Sequence, residues 1–372
     1  MNKLEDRIKA RITAEGPMSV AEYMAVCLLD PVEGYYPTRD PLGSDGDFIT
    51  APEISQMFGE VIGLWCMQSW IDLGRPPTLN LVELGPGRGI MMSDILRTAA
   101  LDKDFMKAAS VTLIEASAAL EAVQAKTLSN ANVPVNWASD LSQLPGGPTL
   151  ILGNEFLDCL PIRQFIQKDP FAGRAGWHER LVALDDENNL SFGVAPIAIS
   201  KQLQNDLPRD IDDARADDLL EICPAARQII DALSVRFSKH PCRALFIDYG
   251  PETTEFGDTL QALKRHKKVN VFSDPGNTDL TARVDFAALQ EMADAAALPA
   301  TQAVTQREFL SKLGIEMRAV ALSKSSSKTD ARAKIARQLH RLMDSAEMGD
   351  LFKAICFQST GLPLPLGFRD RL

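Results

Sequence analysis

The chain lacks the residue patterns that would mark several common protein classes. Its six cysteines, Cys27, Cys66, Cys159, Cys223, Cys242 and Cys356, are scattered with no CxxC pair, and the four histidines, His178, His240, His266 and His340, are equally dispersed. That spacing argues against zinc or any other metal site and against a disulfide framework, so the thiols read as buried groups in a reducing compartment. No run approaches the ~20 apolar residues of a membrane span, so no membrane insertion is expected. The N-terminal MNKLEDRIKARI carries two acids and no signal-type apolar core, which makes the cytoplasm the expected location. An excess of positive charge is also missing. Lys and Arg number 39 against 50 Asp and Glu, for a net charge of −11. The field of the whole molecule repels phosphates, which disfavours a general nucleic-acid binder, while an acidic protein attracts a basic partner such as an arginine-rich protein segment. Internal repeats and low-complexity stretches are absent too.

What is present is ordinary for a globular protein that buries a core: 45% hydrophobic and 24% charged residues over 372 positions. That length suits one large domain with insertions, or two domains. Leu4, Ile8 and Ile12 recur at helical spacing, and Ser19 stands as an N-cap before a second helix through Tyr23, Met24, Cys27 and Leu28. Residues 31–52 read as a long loop whose aromatics, Tyr35, Tyr36 and Phe48, argue for function rather than disorder. Helical pattern resumes from Glu53 to Leu73.

Alternation then sets in. Leu79–Leu84, Val111–Ile114, Val135–Ala138 and Thr149–Leu152 are short continuous apolar runs, with helical stretches at Gly89–Thr98 and Ala118–Ser129 between the first three. Continuous rather than alternating strands imply a parallel sheet covered on both faces, an α/β doubly wound, Rossmann-like architecture. The rhythm breaks at 162–200, which reads as an antiparallel insertion. Residues 201–239 read as helical and polar, Ala244–Gly250 as a return to the central sheet, 258–284 as polar and loop-rich, 286–297 as a helix, Thr301–Val304 as a late strand and 330–347 as an amphipathic helix. The proline-rich tail packs along a surface. The resulting division is a helical extension with a lid loop over 1–75, the first part of the core over 76–161, an insertion for substrate or partner over 162–240, and the remaining core with the tail over 241–372.

Glu83-Leu84-Gly85-Pro86-Gly87-Arg88-Gly89 closes the first strand, at the ligand end of such a sheet. Glycines there let the backbone approach a ligand and take positive φ. The spacing is GxGxG, whereas the dinucleotide fingerprint is GxGxxG. Glu83 sits two residues before the first glycine, where it would repel a pyrophosphate but favour the sulfonium and ammonium of S-adenosylmethionine. Glu115 ends the second strand and can accept both ribose hydroxyls of an adenosine ligand of either class. Asp140, past the third strand, either reads an adenine amino group or caps the following turn. The expected cofactor set is therefore Glu83, Gly85, Pro86, Gly87, Gly89, Glu115 and Asp140.

Asn154 and Glu155 follow the fourth strand, where a methyl acceptor would lie, and Asp158 joins them if the segment turns helically, since three residues is about one turn. Carboxylates here suit an arginine acceptor, whose guanidinium stays charged and must be positioned by bidentate hydrogen bonds. Glu155 and Asp158 also fit as caps of the next helix. In the Gly46–Glu53 loop, Asp47 and Phe48 fit a lid and Glu53 a helix cap, which would put Ser55, Gln56 and Phe58 near the site.

GDFITAPEISQMFGE, VELGPGRG, LIEAS, GNEFLDCLPIRQF, LFIDYG, GDTLQALKRHK, DPGNTDLTARVDF and GLPLPLGF, in this order and spanning nearly the whole chain, resemble the MidA family. These are bacterial relatives of a mitochondrial complex I assembly methyltransferase. The resemblance implies a class I S-adenosylmethionine-dependent methyltransferase fold and protein arginine methylation, with a respiratory complex I subunit as the protein substrate. It places Gly85, Gly87, Gly89 and Glu115 on S-adenosylmethionine and Asn154, Glu155 and Asp158 around the acceptor. The alternative is an assembly chaperone that keeps the cofactor site and acts by holding its client through the 162–240 insertion and the tail.

Overall fold

The computed structural model describes residues 3–38, 49–168, 176–199, 207–208, 211, 213–325 and 329–368. Seven described strands form the central sheet: β1 (Leu79–Leu84), β2 (Ala109–Ile114), β3 (Val135–Ala138), β4 (Thr149–Asn154), β5 (Cys242–Tyr249), β6 (Val304–Thr305) and β7 (Phe352–Gln358). Their spatial order is β3-β2-β1-β4-β5-β7-β6. The first five are parallel. β7 runs antiparallel between β5 and β6. This is the expected doubly wound α/β sheet.

Side chains explain the layers. Leu81, Val111, Leu113, Leu150, Leu152, Leu245 and Ile247 point to one face and join its buried cluster. Val82, Leu84, Ile151, Ala244 and Phe246 point to the other. Each strand residue therefore loses its apolar surface to one layer or the other, worth about 1.5–3 kcal/mol per fully buried side chain. The first face is covered by α5 (Gln56–Asp72) and α6 (Ile90–Ala99). Gly59 and Gly63 let these two helices touch: a Cβ at Gly59 would stand 2.6 Å from Asp94 Cβ, and one at Gly63 3.0 Å from Thr98 Cβ. The second face is covered by helices Pro224–Phe237 and Phe286–Ala295.

A second core lies to one side. Helices α1 (Lys3–Glu15) and α2 (Val20–Leu29) pack their apolar faces with strand residues of the insertion and of a short three-stranded sheet. Ser19 caps α2 in a capping box with Glu22, as its sequence indicates. Met18–Ser19 pairs with Gly176–Leu184, so the N-terminal extension and the insertion share one sheet and one core.

Three readings from sequence need correction. Among the described residues of the 201–239 stretch, helix begins at Pro224, and Leu219–Ile222 is a strand paired with Arg163–Ile166. The 258–284 stretch is an antiparallel sheet of Gln261–Lys264, Lys267–Val269 and Asp279–Thr281. The 31–52 loop contains α3 (Tyr35–Thr38), and its end opens α4 (Ala51–Ile54), a short helix before α5. Among the described residues no helix is long and apolar enough to cross a membrane, and no group of His, Cys, Asp or Glu is placed to hold a metal ion.

Candidate functional site

A cavity of ≈300 Å³ opens at the C-terminal ends of β1, β2 and β4. It is lined by the Gly85–Arg88 loop, Glu83, Glu115, Ser139 and the Asn154–Phe156 turn, with Tyr36 and the Thr50–Glu53 segment closing one side. All three loop glycines have positive φ: 58° at Gly85, 52° at Gly87 and 75° at Gly89. Gly89 is the left-handed residue that starts α6. At Gly85 a Cβ would also meet the Phe156 ring at 3.0 Å, so the loop needs glycine for both conformation and space.

Glu83 is 3% exposed, and its Oε2 has no hydrogen-bond partner among the described residues. Burial pushes its carboxyl up to about 8, against one stabilising hydrogen bond from the Met92 amide. An unpaired buried carboxylate in a ligand cavity fits a cationic ligand group, which would supply the missing partner. Glu115 is held differently. The amides of Ala116 and Ser117 donate to one oxygen and the Gln124 side chain to the other. Burial raises its carboxyl despite these bonds. Gln124 is fully buried, donates also to the Gly87 carbonyl at 2.8 Å and accepts from the Trp137 indole, so it ties the glycine loop to Glu115. No motif read from the sequence included Gln124.

Glu155 lines the same cavity from the end of β4. Its φ of 50° is strained for a residue with a side chain. The Ala51 amide donates to Glu155 Oε1 at 2.8 Å and the Asn154 side chain at 3.2 Å. Burial raises its carboxyl to about 7, with Asp248 adding repulsion and Arg341 opposing it. Asn154 Oδ1 is buried and unpaired beside it. Of the acceptors in the Asn154–Glu155 pair, Asn154 Oδ1 thus has no donor among the described residues.

Asp158 departs from expectation. It does not line this cavity. The left-handed turn at Glu155 breaks the helical spacing that would have put Asp158 over it. Asp158 lies instead in a buried group of acids with Asp248 and Asp279, where desolvation and then their repulsion push its carboxyl well up. Asp248, at the end of β5, was given no role by the sequence motifs. Its Oδ2 accepts from the amides of Phe156, Leu157 and Asp158, and so it shapes the turn that presents Glu155. Its strand-end position, like those of Glu83 and Glu115, was the signal that could have found it. Tyr36 donates to Asp279 at 3.1 Å and reaches the cavity from α3.

Asp140 also does not line the cavity; its neighbour Ser139 does. Its carboxylate accepts from the Ser142 amide and caps the turn Leu141–Gln143, the second of the two expected roles. Glu53 is not the N-cap of α5: Ser55 caps that helix, accepting from the Met57 amide. Glu53 lines the cavity, whereas Ser55, Gln56 and Phe58 do not. Asp47 and Phe48 lie outside the described residues.

Residues 61–304 match the family described as "Putative S-adenosyl-L-methionine-dependent methyltransferase". That match covers well over half of the chain. The chain belongs to this family. S-adenosylmethionine is accordingly its cofactor and methyl transfer its reaction, within a class I fold. Among relatives, the mouse "Protein arginine methyltransferase NDUFAF7, mitochondrial" is 37% identical over 92% of this chain and 81% of its own length. The human protein of the same name is 36% identical over 92% and 80%. A crystal structure of a Burkholderia thailandensis protein bound to S-adenosyl-homocysteine superposes with a TM-score of 0.84 at 27% identity, covering 99% of this chain and 95% of that one. Membership of this methyltransferase family accounts for the acidic character of the cavity. A dinucleotide-binding protein would have little use for a buried, unpaired Glu83 beside its phosphate loop.

Proposed function

We propose that this methyltransferase transfers its methyl group to an arginine of a protein client, a subunit of respiratory complex I, and so supports assembly of that complex. The observation that carries the reading is the half-buried Glu155 carboxylate, held beside an unpaired Asn154 Oδ1 in the same cavity as Glu83. The mouse and human relatives, both protein arginine methyltransferases by name, support it.

In this reading the cavity has two ends. At one end, Glu83 would hold the cofactor's ammonium, Gly85, Pro86, Gly87 and Gly89 would give its amino-acid part a close backbone approach, and Glu115 would accept from the ribose. The cofactor supplies an electrophilic methyl group on a sulfonium. At the other end, Glu155 would accept two hydrogen bonds from the guanidinium and Asn154 Oδ1 a third. A guanidinium is charged at every ordinary pH, so an enzyme helps it chiefly by orienting one nitrogen and concentrating charge away from it. Glu155 does both in its ionised form. It can also take the proton that the nitrogen releases as the N–C bond forms, since its carboxyl sits at about 7. Asp158 and Asp248 act behind it, as supports of the turn. A reducing cytoplasm suits the six free thiols, Cys27, Cys66, Cys242 and Cys356 among them fully buried.

The test is labelling. Purified protein is incubated with radiolabelled S-adenosylmethionine and lysate from a strain lacking the gene. One labelled client, with the label recovered as methylarginine, is expected, and Glu155→Gln should abolish it. Label on a residue other than arginine overturns the reading.

A further inference from the structure

The helix Thr329–Met343 is basic in an acidic protein. It holds Arg332, Lys334, Arg337 and Arg341 against the single acid Asp330, a balance of four minus one, or +3, in a chain of −11. Lys334, Arg337 and Arg341 recur at i, i+3 and i+7, which places them along one face. All three are exposed. None makes an ion pair within 4 Å among the described residues.

The position of this helix gives the charges a context. Its Gln338 side chain donates to the Ile54 carbonyl, and Arg341 is close enough to bias Glu155 toward its ionised form. A groove of ≈570 Å³ runs between the helix and α4, with Ile54, Leu322 and Ile335 along it and Lys334 on its wall. Glu53 lines both this groove and the cofactor cavity, so the two adjoin. The cavity is acidic inside; the adjoining groove has Lys334 on its wall beside Glu53, and Arg337 lies outside its lining, one turn further along the same helix face.

We infer that this groove docks an acidic, extended segment of the client beside its acceptor arginine, with Lys334 and Arg337 pairing the client's carboxylates. The inference rests on the arginine-methyltransferase reading above. From Arg341, near Glu155, to Lys334 the helix rises by about 10 Å, which an extended chain covers in roughly three residues. The recognised carboxylates therefore stand about three residues from the methylated arginine. A concave groove with apolar residues along it suits a chain segment better than a flat bilayer surface.

Two labelled peptides test this. Both carry one central arginine, one with Glu at three and four residues on either side and the other with Gln there. Binding to the full-length protein with S-adenosyl-homocysteine is read by fluorescence anisotropy, and KM by methyl transfer. The acidic peptide should bind about tenfold more tightly at low salt, and Lys334→Glu with Arg337→Glu should bring it down to the neutral one. The milder Lys334→Gln with Arg337→Gln should do so in part, with an unchanged thermal melt showing that the fold is intact. Equal binding of the two peptides, or a preference that survives both double variants, overturns the inference, as does charge-dependent binding only to phosphatidylglycerol vesicles. Acid-preferring binding without any methyl transfer to arginine would leave the docking surface standing and overturn the arginine reading alone.

Discussion

Two glutamates, one buried and one half-buried, line the same cavity, and they are held in opposite ways. Glu83 has an oxygen with no partner, whereas Glu155 receives the Ala51 amide and the Asn154 side chain on one oxygen. Glu83 ends a regular strand; Glu155 sits in a strained left-handed turn, with Asp248 holding the amides of the three residues that follow. The difference teaches that the cofactor end is a rigid socket short of a cation, and the acceptor end is a carboxylate aimed by surrounding structure. Burial alone does not mark the functional acid. Asp158 is more deeply buried than Glu155, but lies off the cavity.

The sharpest way to break this comparison is to remove one charge at a time. Glu155→Gln keeps the shape and the Asn154 neighbour, so methyl transfer should fall by about 10²–10³-fold while cofactor affinity changes by less than about twofold. Steady-state kinetics beside calorimetric titration with S-adenosyl-homocysteine reads both. Gly87→Val puts a β-branched residue at φ 52° in the loop, and cofactor binding should weaken by about 100-fold. If complex I assembly in cells survived that change in a stably folded protein, holding of the client rather than methyl transfer would be the function.

Glu83→Gln should weaken the cofactor by about tenfold, the size of one charge-assisted hydrogen bond. It should also flatten a pH dependence. The free Glu83 carboxyl sits at about 8, so below that pH it must release a proton before it can accept an ammonium. Wild-type affinity should therefore strengthen as pH rises from about 6 toward 8, by about tenfold in all, and the variant should lose that slope. At the acceptor end the corresponding limb lies lower: kcat/KM should rise with pH through about 7 as Glu155 ionises. The smallest effect belongs to Asp140→Ala, which removes an exposed turn cap and should leave cofactor affinity within about twofold.

The cofactor end was legible in the sequence because it is local. The glycine loop, Glu83 and Glu115 sit on apolar runs that parallel burial makes continuous, and strand ends locate them. The acceptor turn was legible only in part. Asn154 ends β4 and Glu155 follows it directly, but the place of Asp158 depends on Asp248, 90 residues away, which no local spacing reveals. The same limit hid whole elements. Leu219–Ile222 becomes a strand only by pairing with 163–166. The hairpin at 261–269 turns on Arg265 and His266, both with positive φ, in place of the Asn-Gly signature that would have announced it. β7, FKAICFQ, carries Lys353 and follows an amphipathic helix, so nothing in its own seven residues shows that it lies between β5 and β6.

The central claim is that Glu155 presents an arginine to the cofactor. Mass spectrometry of a client peptide after reaction with isotopically labelled S-adenosylmethionine tests it most directly. The account predicts the label on a guanidino nitrogen with the wild-type protein and its loss with Glu155→Gln, under conditions where both bind S-adenosyl-homocysteine. Undiminished arginine labelling by the variant, or label on any other side chain, would contradict it.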